Sequence, residues 1–208
     1  VICYDTSMII GIDEVGRGPI AGPVCVAAFL VRRPGQFARE LELLKKKHRL
    51  PLRDSKKLSK KDREAWVQIA QELKTKGKCD YAVSVIQATT IDRIGIVPSI
   101  RRALANSLTK VATSGGASFS CHIVLDGGLR APIQYKKQTT IIKGDEKEIS
   151  IALASIVAKV HRDKIMVKMA KKYPGFGFES HVGYGTRAHY SALRRYGTTQ
   201  LHRKTFIK

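Results

Sequence analysis

Two apolar runs near the start of the chain predict a pair of buried strands. Residues 8–13 and 24–31 are almost wholly apolar instead of alternating, which is typical of strands covered on both faces. Gly16, Gly18 and Pro19 interrupt the chain between them, and so short a link favours an antiparallel pair. We therefore expect helices on both faces of the sheet that contains these strands.

Apolar positions three and four residues apart predict a helix further along the chain. Such a stripe runs from Trp66 to Leu73. Ser59 and Asp62 resemble a capping box that begins this helix, and Gly77 is placed to end it. The preceding residues, 32–58, are basic and rich in turn formers, and no element is predicted in them.

The whole pattern predicts the order β-β-α-β-α-β-β-α, followed by a short helix near 186–195. The later elements are strands at 81–86, 122–126 and 139–142 and helices at 90–112 and about 148–172. Gly95 and Pro98 interrupt the first of these helices, so it is expected to start late or bend. The length of the whole chain predicts one domain, residues 1–208, with a short helical C-terminal segment at about 175–208.

The charge of the chain favours a polyanionic partner. Lysine and arginine number 38 against 17 aspartates and glutamates, so the net charge is +21, far beyond what solubility requires. A generally solvated basic surface is the alternative interpretation. Charge therefore indicates a class of partner, a polyanion, and nothing finer.

Cysteine spacing and hydropathy argue against several other classes of protein. The four cysteines, at positions 3, 25, 79 and 121, form no CxxC pair, so neither a zinc site nor a disulfide framework is indicated, and reduced thiols are expected. No apolar run reaches the ~18 residues that span a bilayer, and the start of the chain lacks the pattern of a secretory signal. We expect a cytoplasmic protein that is not bound to a membrane and is monomeric.

Three aspartates stand where apolar strands end. Asp13, Asp126 and Asp145 each lie at such a position with a glycine no more than two residues away. A carboxylate near a core is costly unless it is paired or binds a metal. Together they could form an all-oxygen site for Mg²⁺ or Mn²⁺. Two such ions, roughly 3.5–4 Å apart, can activate water for phosphodiester hydrolysis. For each aspartate alone, a turn or a helix cap is the alternative.

Glu14 fits this cluster less simply. Consecutive strand residues point to opposite faces, so Asp13 and Glu14 cannot share one site from a regular strand. We therefore expect the chain to leave the pleat there, as Gly16 and Gly18 permit. A surface position for Glu14 is the alternative.

The residues from Gly11 to Val24 resemble the opening signature of the ribonuclease HII family. Further stretches agree with that family in order: Asp54-Ser55-Lys56-Lys57-Leu58-Ser59, Leu125-Asp126-Gly127, Lys143-Gly144-Asp145, residues 154–163, residues 183–186 and His202-Arg203. The resemblance covers nearly the whole chain. It implies an α/β protein with a ribonuclease H-like fold, a five-stranded mixed sheet flanked by helices.

The resemblance also implies residue roles. The four metal-binding carboxylates of the family fall on Asp13, Glu14, Asp126 and Asp145, with Asp13 expected to bridge two ions. Other positions are implied to bind substrate: Gly16, Arg17 and Gly18 through main-chain groups at the ribonucleotide, Lys56 at a phosphate, and Tyr184 by stacking at the RNA-to-DNA junction. The chain departs from the family at Val182, where a lysine is usual.

Asp163 competes with Asp145 for the fourth carboxylate position. A helix from about 148 to 163 places Asp163 roughly 20 Å from the end that carries Asp145, so only one of them can join the site. We favour Asp145, which follows a strand as Asp126 does, and expect Asp163 to pair with a neighbouring arginine or lysine.

The function implied by the resemblance is hydrolysis of RNA in RNA/DNA hybrids and at ribonucleotides embedded in duplex DNA. Cutting is expected on the 5′ side of the ribonucleotide, leaving 3′-hydroxyl and 5′-phosphate ends in a DNA-repair role. One rival is another nuclease of the same fold that accepts all-DNA substrates. A non-catalytic RNA-binding protein is the second rival, although strand-end aspartates would repel phosphate in such a protein.

Overall fold

Five strands form one mixed sheet in the computed structural model, which describes residues 8–52, 55–116 and 121–207. They are β1 (Met8–Val15), β2 (Val24–Arg32), β3 (Cys79–Ile86), β4 (His122–Asp126) and β5 (Gln138–Ile141). Their order across the sheet is β3-β2-β1-β4-β5. β2 is antiparallel to both β1 and β3, whereas β4 is parallel to both β1 and β5. The predicted mixed sheet and its antiparallel N-terminal pair are confirmed.

Helices cover both faces of this sheet. They are α1 (Pro34–His48), α2 (Lys60–Thr75), α3 (Ala88–Ile94), α4 (Ile96–Gly115), α5 (Gly144–Lys147), α6 (Ile149–Lys172), α7 (Phe178–His181) and α8 (Arg187–Tyr196), followed by a 3-10 turn (Lys204–Phe206). One apolar cluster joins the sheet to α3 and α4, and another joins the opposite face to α1, α2 and α6. The expectation drawn from the apolar strands, helices on both faces, is confirmed.

The first strand and the longest helix approach each other closely. A Cβ atom added at Gly11 would lie 2.2 Å from the carbonyl carbon of Ser150, so only glycine allows β1 to pack directly on the first turn of α6. This contact places the end of β1 against the side chains of α6. The position of Asp13 relative to α6 follows from it.

Helix α1 is absent from the sequence-based prediction, which was wrong for residues 34–48. Pro34 occupies the first turn, where its missing N–H is not needed. Phe37 and Leu41, one helical turn apart, are buried on the core. Only two of the fifteen residues are buried, so the apolar signal was masked by lysines and glutamates.

The other helix boundaries follow their local signals. Ser59 accepts a hydrogen bond from the amide of Asp62 at the start of α2, as the capping box predicted. Gly95, with φ of 83°, separates α3 from α4, which confirms the predicted interruption of the helix at 90–112. The predicted short helix at 186–195 is α8.

The C-terminal segment packs on the second half of α6. Its buried residues Phe176, Phe178, Ala192 and Leu201 form an apolar cluster with Met166 of that helix and with Ala21 of the loop between β1 and β2. Cys25, Cys79 and Cys121 are buried free thiols, as expected, and Cys3 lies outside the described residues. Within residues 8–52, 55–116 and 121–207, no helix combines the length and the apolar character needed to cross a membrane.

Candidate active site

Two predicted site residues stand at the same level of adjacent parallel strands. Ile12 of β1 pairs with Leu125 of β4, so Asp13 and Asp126 follow directly at the carboxyl ends of the two strands. In open α/β sheets, ligands bind beyond the carboxyl ends of such strands. The topology therefore brings together two carboxylates that are more than a hundred residues apart in the chain.

Asp13 is a buried carboxylate. It is 7% exposed, and its Oδ1 accepts a hydrogen bond of 2.7 Å from the amide of Glu14. Burial raises the pKa of Asp13 to about 8; a hydrogen bond from Ser155 opposes this rise, whereas the charges of Glu14 and Asp126 add to it. No ion pair reaches Asp13 from any described residue.

Glu14 reaches the same site from a regular strand. It pairs with Val26 of β2, and β1 stays in register through Val15, so the expectation that the chain leaves the pleat at Glu14 was wrong. Burial raises the pKa of Glu14; the charge of Arg17 opposes this rise and that of Asp126 adds to it. Because Asp13 and Glu14 lie at the end of the strand, carboxylates from its two faces can share the space beyond the sheet.

Asp126 holds the start of α5 in place. The amide of Gly144 donates to its Oδ1 at 2.6 Å, and a Cβ atom at Gly144 would lie 3.3 Å from the same oxygen. Asp145 is the next residue, so it stands beside this carboxylate. It belongs to the one-turn helix α5, which the extended Glu148 separates from α6.

The donor set fits a hard divalent cation. Within the described ranges, no three Asp, Glu, His or Cys side chains converge closely enough to make a ready-formed metal site. The three carboxylates of Asp13, Glu14 and Asp126 are nevertheless close enough to interact: the charges of Glu14 and Asp126 raise the pKa of Asp13, and the charge of Asp126 raises that of Glu14. Carboxylate oxygens that repel one another in a buried setting are the ligands that Mg²⁺ and Mn²⁺ prefer.

The segment that carries Lys56 is tied to the carboxylates through α6. Ser55 and Ser155 are buried, and their hydroxyl oxygens lie 2.8 Å apart. Either hydroxyl can donate in this hydrogen bond, and Ser155 also forms a hydrogen bond with Asp13. Lys56 is exposed, and its charge acts to lower the pKa of Glu14. The predicted phosphate-binding lysine therefore lies near Glu14, whereas Asp54 of the same motif lies outside the described residues.

Tyr184 and the loop between β1 and β2 are brought together by main-chain hydrogen bonds. The amide of Ala21 donates to the carbonyl of Gly183 at 3.1 Å. Tyr184 follows Gly183 and is 44% exposed. Arg17 and Gly18 are exposed on the same loop, and the side chain of Arg17 lies 3.7 Å from that of Glu14. The predicted substrate-binding residues Arg17, Gly18 and Tyr184 thus lie on neighbouring segments, and Arg17 is next to the carboxylate of Glu14.

Asp163 stands apart from this site. Its carboxylate lies 2.9 Å from Lys159 Nζ and 3.8 Å from Arg63 Nη2, so the predicted pairing with a basic neighbour is confirmed. It lies eight residues beyond Ser155 on α6, a rise of ~12 Å along the helix.

The model of the family described as Ribonuclease HII matches residues 10–208. The chain belongs to the ribonuclease HII family. A ribonuclease HII of Shouchella clausii (strain KSM-K16) is 41% identical over 197 residues, which cover 94% of this chain and 67% of that relative. A ribonuclease HII of Chlorobium phaeobacteroides (strain DSM 266 / SMG 266 / 2430) is 43% identical over 203 residues, covering 96% of this chain and 90% of the relative.

Solved structures share the fold. The ribonuclease HII of Archaeoglobus fulgidus, in its complex with PCNA, has a TM-score of 0.72 and 22% identity over 97% of this chain and 96% of that one. The Bst ribonuclease HIII in complex with Mn²⁺ has a TM-score of 0.69 and 20% identity over 96% of this chain and 67% of that one. The expected ribonuclease H-like fold is confirmed. Through its family, the chain is a metal-dependent endoribonuclease that acts on RNA/DNA.

Sequence reasoning missed several residues that organise the site. Ser155, Arg162 and Arg203 were noted only as parts of family motifs, and Ser155 lies within an apolar helix face. All three are buried polar residues. A polar residue at an apolar position of a predicted buried helix is the signal that could have identified Ser155 and Arg162.

Proposed function

We propose that Asp13, Glu14, Asp126 and Asp145 hold two Mg²⁺ or Mn²⁺ ions and that the enzyme cuts on the 5′ side of a ribonucleotide. Its substrates would be RNA/DNA hybrids and duplex DNA with embedded ribonucleotides, and its products 3′-hydroxyl and 5′-phosphate ends. This activity would serve ribonucleotide removal in DNA repair.

The observation that carries this proposal is the uncompensated burial of Asp13. A buried carboxylate flanked by two further carboxylates is unfavourable unless a cation joins it. The amide of Glu14 and the hydroxyl of Ser155 orient the carboxylate but bring no positive charge to it. A divalent ion would supply that charge, and the likeness to a ribonuclease HIII in complex with Mn²⁺ supports such a ligand.

The protein groups have separable tasks in this mechanism. Divalent ions, when bound, lower the pKa of water and stabilise charge on the leaving oxygen. Asp13 and Asp126 are held in place by hydrogen bonds before any ion arrives. Lys56 is exposed beside Glu14, where its ammonium group can bind a phosphate of the substrate strand.

The loop beside the carboxylates is suited to a close substrate. A Cβ atom at Gly18 would meet no atom within 4 Å, so the fold does not require glycine there and the space in front of it is open to a ligand. Gly16 differs, because its φ of 88° and its contact with Arg162 exclude any side chain. Gly18 therefore supports main-chain recognition of a ribonucleotide, and exposed Tyr184 offers a stacking surface nearby.

The test is cleavage of a labelled duplex that contains one ribonucleotide in DNA, with Mg²⁺ or Mn²⁺ and with EDTA as control. We expect metal-dependent cutting at the phosphate on the 5′ side of the ribonucleotide and none of a matched all-DNA duplex. No cutting of the ribonucleotide duplex would refute the proposal. Equal cutting of both duplexes would favour a nuclease of the same fold without ribose specificity.

A further inference from the structure

Arg203 binds three carbonyl groups of the loop between β1 and β2. Its side chain has no exposed surface. Nη2 donates to the carbonyl of Gly16 at 2.6 Å, Nη1 to that of Arg17 at 3.0 Å and Nε to that of Gly22 at 2.9 Å. One guanidinium from the C-terminal segment therefore spans both ends of a loop that lies more than 180 residues earlier in the chain.

Arg162 of α6 binds two further carbonyl groups of the same loop. It is also without exposed surface, and it donates from Nε to Pro23 at 2.9 Å and from Nη2 to Ala21 at 3.2 Å. The Cβ atom that any other residue would place at Gly16 would lie 2.3 Å from the Arg162 Nε. The two arginines thus support the loop from its inner side.

The position of these two charges is costly for the fold. Neither guanidinium forms an ion pair within the part of the chain that the structure describes. Burial lowers the pKa of Arg203 to about 9, and the charge of Arg162 adds to this effect. Two buried cations without an adjacent carboxylate are unfavourable unless several hydrogen bonds satisfy them. Five loop carbonyls accept hydrogen bonds from these guanidinium groups, whereas Arg162 Nη1 is buried with no hydrogen-bond partner among the described residues. The loop and the arginines therefore fix each other.

The hydrogen bonds from Arg203 to two loop carbonyls also fix the direction of the amides of Arg17 and Gly18. The C=O and N–H of one trans peptide unit point in opposite directions. Because Arg203 holds the carbonyls of Gly16 and Arg17 inward, the amides of Arg17 and Gly18, which belong to the same peptide units, point outward. Neither amide has an acceptor among the described residues. Both residues are exposed on the edge that carries Glu14.

We infer that Arg203 is a positioning residue for ribose discrimination. By holding two carbonyls inward, it presents the amides of Arg17 and Gly18 as a fixed pair of donors to the ribonucleotide and its 2′-hydroxyl. A flexible loop would lose this advantage, because it would have to be ordered each time substrate binds. This inference rests on the proposed function, since it assumes that the ribonucleotide lies against this loop.

The test compares two duplexes that differ by one 2′-hydroxyl, bound in EDTA so that no cutting occurs. In Arg203→Lys, the compact ammonium keeps the charge but cannot serve three carbonyls with the planar fork of a guanidinium. We expect the wild type to prefer the ribonucleotide duplex and the variant to lose roughly tenfold of that preference, as for one misplaced hydrogen bond. Affinity for the all-DNA duplex should change less than about twofold, because phosphate contacts provide it.

Arg32→Lys is the matched control. Arg32 also donates to main-chain carbonyls, those of Gly115 at 2.6 Å and Gly77 at 3.4 Å, but it lies at the far end of β2. Its replacement should lower thermal stability without changing the preference for the ribonucleotide. Loss of the preference in Arg32→Lys would show that general destabilisation is sufficient and would overturn the inference.

A measurement on the wild type covers the case in which Arg203→Lys does not fold. The amide NMR signals of Arg17 and Gly18 should shift on addition of the ribonucleotide duplex and much less with the all-DNA duplex. Equal shifts, or a folded Arg203→Lys with its full preference, would overturn the role of Arg203. These outcomes are distinct from failure of the proposed function, which is the absence of metal-dependent cutting at the ribonucleotide by the wild type.

Discussion

Asp13 lies against α6 and Asp163 belongs to that helix, and the surroundings of the two carboxylates are opposite. Asp163 has Lys159 at 2.9 Å and Arg63 at 3.8 Å, so its charge is compensated within the protein. Asp13 is buried beside Glu14 and Asp126, and the cluster raises its pKa to about 8. A compensated carboxylate stabilises the fold, whereas an uncompensated one is a cost to the fold that a bound cation can remove. The comparison separates a structural aspartate from a candidate metal ligand on physical grounds.

The largest expected effect is on catalysis. Asp126→Asn and Asp145→Asn should each reduce cutting by at least about a thousandfold, since each removes a negative charge that would hold a metal ion, while substrate binding stays largely intact. Single-turnover cleavage of the one-ribonucleotide duplex measures this loss. Asp163→Asn is the matched control and should stay within about twofold of the wild type. An inactive but well-folded Asp163→Asn would overturn the assignment of the four carboxylates.

The second expected effect is a gain in the stability of the whole protein when the buried carboxyl group of Asp13 is removed. Asp13→Asn should raise the free energy of unfolding in EDTA at neutral pH by roughly 1–3 kcal/mol, because it removes a buried carboxyl group from two carboxylate neighbours. Urea unfolding of the two proteins measures the difference. A clear loss of stability would mean that the hydrogen bonds from Glu14 and Ser155 outweigh the cost of burial.

Mg²⁺ should raise the thermal stability of the protein only when the carboxylates around Asp13 are intact. Addition of Mg²⁺ at about ten times its dissociation constant should raise the thermal midpoint of the wild type by roughly 2–5 °C, because the ion binds only the folded state. Asp163→Asn should respond like the wild type, and Asp13→Asn should respond little. Differential scanning calorimetry with and without Mg²⁺ tests this contrast, and an unaltered response in Asp13→Asn would remove Asp13 from the ligand set.

The smallest expected effect is the cost of losing the compensated pair. Asp163→Asn should lower the free energy of unfolding by about 0.5–1 kcal/mol, since its ion pairs are only partly buried. The loss should shrink at high salt, which screens such pairs. A loss of several kcal/mol, measured by urea unfolding, would show that Asp163 is more than a local ion pair.

Local signals in the sequence were sufficient for most of the fold. The apolar runs of β1 and β2, the capping box at Ser59 and the glycine at 95 each act through neighbouring residues, and each was placed correctly. Helix α1 was missed because it buries only Phe37 and Leu41 and exposes its charged residues. A helix with so narrow an apolar face carries little signal in its own sequence.

By itself the sequence determined the strands, the capped helices, the family signature and the aspartates at strand ends, because these depend on chain-local preferences and on motifs read in order. Only the tertiary structure decided which charges are compensated. The pairing of Asp163 with Arg63, the contact of Ser155 with Asp13 and the support of Gly16 by Arg203 join segments far apart in the chain. Burial and neighbouring charge set the cost of an ionised group, and both exist only once those segments are packed together.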